Sequence, residues 1–279
     1  MEDTPHVHLH MVETAYGHRS HEVTEEGNPD HIQLRTNTEA WIKESMVNVG
    51  VRRMLGQFPD ARYIAWVDAD VFFRDPQWAG ETLQQLQHFD VVQPWSDCLD
   101  LGFNGNVLQH FRSFGHQHQA RIRKQKHPSE PYQYAHTGFA WACTRRFWEQ
   151  VEGLMDFPPL GSADHHMAFA MIDEVMDTVH GGMHDAFKRR AKEWQNRAVA
   201  VTHREVGYVA GRIEHPFHGP KKRRYYRERW QILIDHNFNP DTDLMRDEQG
   251  LIKIVGKPEL EQAIRMYNRS RMEDSIEEG

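Results

Sequence analysis

The residues Tyr63 to Val67 are apolar without interruption and rich in aromatic and β-branched side chains, and the run stops abruptly at Asp68-Ala69-Asp70. So short a run suits a strand rather than a helix, and its near-continuous apolarity suits a strand of a parallel sheet covered on both faces. Side chains at i and i+2 of an extended chain point the same way. The two carboxylates therefore converge at the strand's C-terminal end, which is where α/β folds bind ligands. Convergent carboxylates make a hard oxygen site for Mn²⁺ or Mg²⁺, and a pair alone suits an ion completed by phosphate oxygens of a substrate. The structural alternative is a turn whose aspartates cap the following helix.

The flanking sequence keeps to the same class. Thr38 to Gly56 carries Trp41, Met46, Val47, Val49, Val51, Met54 and Leu55 at helical spacing, with Thr36, Asn37 or Thr38 available as N-cap and Gly56 as the stop. The spacing predicts further helices over 76–86, 145–154, 163–179, 222–234 and 260–272, and strands over 6–12, 90–94, 134–142, 203–209 and around Phe217. Helix alternating with strand predicts an α/β chain. With 279 residues, no fixed-period repeat and no Gly/Ser linker, one domain over 1–279 is the economical reading, with 101–130 a long basic loop and 256–279 a helical tail.

Charge bears on partners. The chain holds 41 acids against 33 Lys and Arg, a formal charge of -8, which argues against a surface that is basic throughout. The distribution is uneven. Ala186 to Trp230 carries thirteen Lys or Arg against four Glu, and Leu101 to Ser129 carries five bases and no acid. Such runs are either solvated faces or the footprint of an anion. No window is apolar enough to span a membrane and the start does not resemble a signal peptide, so a soluble, cytoplasmic protein is expected. Cys98 and Cys143 sit in no zinc spacing and are expected as reduced thiols. Three histidines at 6, 8 and 10 are a possible metal group, or simply the polar face of a half-buried strand.

Taken with its context, Tyr63 to Phe73 resembles the Asp-x-Asp strand of GT-A fold, metal-dependent nucleotide-sugar glycosyltransferases. Three other segments occur in that fold's order. Trp41 to Glu44 and Asn48 to Gly50 resemble the helix lying against the sugar nucleotide, with Lys43 the donor contact. Thr137 to Ala142 followed by Gly161 to His166 resembles the acceptor loop and its acidic motif, with Asp164 the matching carboxylate. His215-Pro-Phe-His218-Gly219-Pro-Lys221-Lys222 resembles the late His-x-x-Gly-x-Lys element of glycogenin-like and lipooligosaccharide galactosyltransferases. The resemblance implies a single α/β, Rossmann-like domain with a mixed central sheet. It also makes the strand bearing Glu13 the second in the fold's order, so the usual first strand is missing from the expected sheet.

The implied chemistry is glycosyl transfer from a nucleoside-diphosphate sugar, a UDP-sugar foremost, with Mn²⁺ or Mg²⁺ as cofactor. Asp68, Asp70 and His218 are the implied metal ligands, with His215 the competing imidazole. Lys221 and Lys222 beside Gly219 are the implied diphosphate contacts. Asp164 is the implied base or acceptor clamp, while an N-cap role for it, or for Ser162, is the structural alternative. His165 and His166 diverge by about 100 degrees on a helix and do not suit one shared ion. The two basic stretches make a hydroxymethylated base in DNA, the acceptor of phage DNA-modifying transferases, a leading acceptor candidate. The alternatives are a glycan, lipid or protein hydroxyl, a catalytically silent sugar-nucleotide binder, and, more remotely, a metal-dependent phosphohydrolase. Sugar, anomeric course and oligomeric state are not encoded legibly.

Overall fold

The computed structural model describes residues 7–121, 135–217 and 229–271. In chain order the strands are β1 (Met11–Tyr16), β2 (His31–Thr36), β3 (Tyr63–Val67), β4 (Phe72–Phe73), β5 (Val91–Gln93), β6 (Asp97–Leu101), β7 (Val107–Arg112), β8 (Ala140–Thr144), β9 (Gly207–Tyr208), β10 (Arg212–His215), β11 (Leu244–Arg246) and β12 (Ile252–Ile254). The helices are α1 (Lys43–Gln57), α2 (Trp78–Gln85), α3 (Phe114–Gln119), α4 (Arg145–Val151), α5 (Ala163–Met171), α6 (Asp185–Thr202), α7 (Arg229–Asp235) and α8 (Pro258–Ser270). The α/β class is as expected, but the central sheet is divided. The larger elements are a four-stranded sheet in the order β3-β8-β5-β9 and a second in the order β4-β10-β6-β7, both mixed; β1-β2 is a parallel pair and β11-β12 a hairpin.

The main core lies under the first sheet, where α4, α5 and α6 bury Phe147, Phe187, Trp194, Met171 and Ala198, with Met155 from the connection between α4 and α5, against Trp141 and Cys143 of β8. Helix α6 forms because Phe187, Ala191, Trp194, Ala198 and Val201 recur at helical spacing and share one buried face. Its charged side is met locally. Arg189 and Arg190 pair with Asp241, Lys192 and Arg204 with Asp173, and Arg197 lies 3.8 Å from Glu152. The bases from Arg189 to Arg204 are thus met within the fold, which weakens the case for an anionic partner along that part of the stretch, while 218–228 lies outside the described residues.

Several boundaries differ from expectation for identifiable reasons. Helix α1 starts at Lys43, with no side-chain cap: the Trp41 N–H is held by the Pro159 carbonyl at 2.8 Å and Thr38 Oγ1 accepts from the Ala40 N–H, which keeps the chain out of helix until Ile42. The first strand begins at Met11 rather than His6, with His8 stacked on Phe58 at 4.1 Å. Strand β8 begins at Ala140 because Phe139 takes a left-handed φ of 77° and His136 pairs instead with Arg112 and Phe114. The stretch from Leu101, expected as a loop, is ordered through Gln119 as β7 and α3, and there Arg112 and His110 are engaged by Asp97. Both cysteines are buried and unbridged. Among the described residues no helix is long and apolar enough to cross a membrane.

Candidate active site

The aspartates are placed by the joint between the two large sheets. Strand β3 pairs antiparallel with β8 as far as Val67 and Ala140, and the Asp68 N–H then donates to the Phe139 carbonyl at 2.8 Å. A turn closed by the Val71 N–H on the Asp68 carbonyl, 3.2 Å, hands the chain to β4 in the other sheet. There β4 runs antiparallel to β10, with Phe73 opposite Ile213 and Phe72 opposite Glu214, while β10 runs parallel to β6, with His215 opposite Asp100. The register sets Asp100 opposite His215, and the turn before β4 delivers Asp70 to the same place.

His215 is the imidazole that meets Asp70. Its Nε2 is 3.2 Å from Asp70 Oδ2 and its Nδ1 is 2.8 Å from Asp100 Oδ1, and its side chain is buried. Burial works against its charged form, but the bonds to Asp100 and Asp70 outweigh it and raise its pKa above the ordinary histidine value. His218, Gly219, Lys221 and Lys222 lie outside the described residues. The histidine beside Asp70 is thus the one sequence analysis gives as the competing ligand.

Asp68 faces Lys43, the first residue of α1, with Nζ 2.5 Å from Oδ1. Burial, together with Asp70 and Asp164 nearby, pushes the Asp68 carboxyl up, against the pull of Lys43. Lys43 is correspondingly held charged: burial disfavours its ammonium, yet Asp68 and Glu44 raise its pKa. Glu44, next on the helix and buried, is pushed up to about 7 by burial and by Asp164 and Asp68, with Lys43 opposing.

Asp164 reaches the same place from α5. Gly161 and Ser162 both take left-handed φ, 82° and 69°, so the chain turns sharply into the helix and sets Asp164 in its first turn. Neither Asp164 nor Ser162 acts as a side-chain N-cap: Thr137 Oγ1 donates to Asp164 Oδ2 at 3.2 Å, and Ser162 Oγ is bonded by Arg229. Although burial opposes it, Lys43, His165 and His136 hold the Asp164 carboxyl below the usual carboxylate range. His166 is a core residue, bonded through Nδ1 to Thr178 Oγ1 at 2.8 Å and pushed down to about 3 by burial and the neighbouring His165.

Lys43, Asp68, Asp70, Asp164 and His215 line one cleft of about 1550 Å³. Three of its groups were not assigned from sequence. Asp100 sits in a stretch that reads as loop, and its only signal is a carboxylate flanked by apolar Leu99 and Leu101; Glu44 is signalled only by adjacency to Lys43; His136 stacks on Phe139, 4.0 Å between centroids, beneath Gly138.

The donor set is carboxylates with one imidazole, the chemistry that a hard or borderline divalent ion takes. Around Lys43, the carboxylates of Glu44, Asp68 and Asp164 crowd together, and burial with their mutual repulsion raises the pKa of Glu44 and Asp68. Among the described residues no three of these side chains are already gathered around one ion-sized point. Asp70 and His215 are the converging pair, and a cation there needs oxygens beyond those of the described residues. Comparison with models of protein families finds none that matches the chain, and comparison with curated proteins finds no match either.

Proposed function

We propose that the chain is a metal-dependent glycosyltransferase on a GT-A-like frame, moving a sugar from a nucleoside-diphosphate sugar, UDP-sugar foremost, to an acceptor hydroxyl. The observation that carries this reading is the meeting of Asp70 with His215 beside the Asp68–Lys43 pair, in a cleft that Asp164 also enters. Asp70 and His215, with Asp68, would hold Mn²⁺ or Mg²⁺. Such an ion supplies charge neutralisation of a leaving diphosphate.

The chain's own groups divide the remaining work. Lys43 carries a fixed positive charge at the mouth of β3, suited to a phosphate or sugar oxygen of the donor. Asp164 stays ionised at neutral pH, accepts a hydrogen bond from an incoming hydroxyl and takes its proton as the leaving group departs. Asp100 fixes the His215 ring through Nδ1, so that Nε2 faces Asp70. As acceptor we propose a hydroxymethylated base of DNA, supported by Arg121 and by the bases at 123–126 and 221–224. The pairing of α6 reduces that support, and a glycan, lipid or protein hydroxyl is the alternative. Bases within a duplex would have to be flipped out to reach Asp164.

The test is a thermal-shift panel of nucleoside diphosphates with and without Mn²⁺, followed by hydrolysis of the matching nucleotide sugar. A nucleotide at about 100 times its Kd stabilises the native state by about 2.7 kcal/mol, a shift of several degrees. The expected result is a shift that needs nucleotide and Mn²⁺ together, with slow donor hydrolysis. Binding without hydrolysis or transfer would make the chain a silent sugar-nucleotide binder, and no shift with any nucleotide would end the transferase reading.

A further inference from the structure

Three helices of this chain begin after a hydroxyl residue, and one of them uses it differently. Ser113 and Thr144 take extended backbone and cap α3 and α4, their side-chain oxygens accepting from the His116 N–H at 3.1 Å and the Phe147 N–H at 3.2 Å. Ser162 stands in the same place before α5, yet its φ is 69° and it makes no side-chain cap. A left-handed φ is costly for a residue with a Cβ, and the missing cap leaves the first turn of the helix without its usual support. Both costs fall on the residue two positions before Asp164. Strain of this kind persists only where the surroundings enforce it.

The enforcing group is Arg229, the first residue of α7. Its side chain is buried, Nη1 donates to the Leu160 carbonyl at 3.1 Å, and Nη2 donates to Ser162 Oγ. One planar fork thus grips residues 160 and 162 and brackets Gly161 between them. Gly161, at φ 82°, is what lets the fork and Trp41 close on the turn: a Cβ there would lie 3.4 Å from Arg229 Nη1 and 3.5 Å from the Trp41 ring. Helix α5 then starts from the clamped residue, with the His166 N–H donating to the Ser162 carbonyl at 3.0 Å. Asp164 sits in that first turn, so any rotation of the Ser162 backbone swings its carboxylate. Thr137 Oγ1 steadies the carboxylate from the other side at 3.2 Å. Gly161, Ser162, Asp164 and Arg229 all line the one cleft. Burying a guanidinium costs solvation that a residue serving packing alone avoids.

We infer that Arg229 is a positioning residue for Asp164, acting through Ser162 to set where the carboxylate meets an incoming hydroxyl. The inference rests on the transferase reading and deepens it: Arg229 takes no part in the proton transfer, and it fixes the point at which that transfer occurs. Lysine cannot replace it, because a single ammonium does not reproduce a fork that serves two acceptors in fixed directions.

The test is a double-mutant cycle on the full chain, Arg229→Lys, Ser162→Ala and the two together, assayed with Mn²⁺ and the nucleotide sugar that the thermal-shift panel selects. Each single change is expected to lower kcat for donor turnover by about tenfold or more, since a small misplacement at a reacting group can cost about 100-fold. KM for the donor, and the affinity for its nucleoside diphosphate with Mn²⁺ by calorimetry, stay within about twofold, because the clamp does not touch the ion or Lys43. The double variant is expected to be no slower than Arg229→Lys alone, because both changes break the same bond. Ser162→Ala leaves the guanidinium in place, so it decides the matter if Arg229→Lys fails to fold. Variants that unfold at lower temperature with kcat unchanged would make Arg229 a brace of the fold and overturn the inference, as would losses that add in the double variant or a fall in nucleotide affinity that matches the fall in kcat. A parent chain that turns over no donor would end the transferase reading and this assignment with it, whereas an active parent with unaltered variants would overturn the assignment alone.

Discussion

Glu44 offers the most quantitative check of the cleft's electrostatics. It is 6% exposed, and its carboxyl is moved from 4.5 to about 7 by burial first and then by Asp164 and Asp68, with Lys43 in opposition. An acid whose pKa is higher in the folded than in the unfolded chain binds more protons when folded between those two values, so stability falls as pH rises from about 4.5 to about 7 and is level above. At about 1.4 kcal/mol per unit, the interval is worth about 3 kcal/mol. Glu44→Gln keeps the shape and removes the titration. The variant is expected to match the parent near pH 4.5 and to exceed its stability by up to about 3 kcal/mol at pH 8, by urea unfolding with the m-value held constant. Asp68, also raised, adds a slope of the same sign, and because it is one of the charges that raise Glu44 the difference between the two proteins reads the coupled group. Stability curves that run parallel from acid to alkaline pH, or a variant weaker at pH 8, would refute the claim that Glu44 is held in a negatively charged, poorly solvated place.

Asp100→Asn should weaken Mn²⁺ binding by about 10- to 100-fold by calorimetry, because His215 loses the partner that sets its ring, and should also lower the unfolding temperature, because the pair it breaks is buried. Asp68→Asn should lower sugar transfer by about 100-fold or more, read by release of nucleoside diphosphate, with the circular dichroism spectrum preserved. Phe147→Ala, at a fully buried position under β8, should cost about 3–5 kcal/mol of unfolding free energy in urea. Replacing Arg121, Arg123 and Lys124 by Ala should abolish retention on duplex DNA at moderate salt if DNA carries the acceptor, and retention unchanged by the triple variant would remove DNA from the proposal.

Strand β3 and its carboxylates were legible because a short apolar run and an Asp-x-Asp end are local facts, and the helices α1, α2, α4 and the start of α5 because apolar spacing is local too; the parallel pairing expected of β3 was not met, since its partner β8 runs antiparallel, and α5 stops at Met171. What could not be read was register. Asp100 is remote from both Asp70 and His215 in sequence, and only the parallel pairing of β6 with β10 sets Asp100 opposite His215. The same register sets His215 beside Asp70 and Asp100, while His218 lies outside the described residues. Helix α6 carries a clear apolar stripe, yet its run of bases attracts a reading as an anion-binding stretch; the acids that meet those bases, Asp173 and Asp241, come from loops whose position no spacing reveals. The short strands β4, β9, β11 and β12 have two or three residues each, too few for any alternation to register.

The two aspartates of the acidic triplet belong to different mechanical bodies. Asp68 is fastened to the β3–β8 sheet through Phe139, and Asp70 stands at the threshold of the β4–β10 sheet, where His215 holds it. Their mutual spacing is fixed by neither scaffold but by the angle at which the scaffolds meet, across the single short turn from Asp68 to Val71. A few degrees of tilt between them would act as a calliper on the oxygens, so for the ion proposed above its accepted size would be tuned by residues far from it, such as Trp95, Phe111 and Ile213, where the two sheets pack on each other.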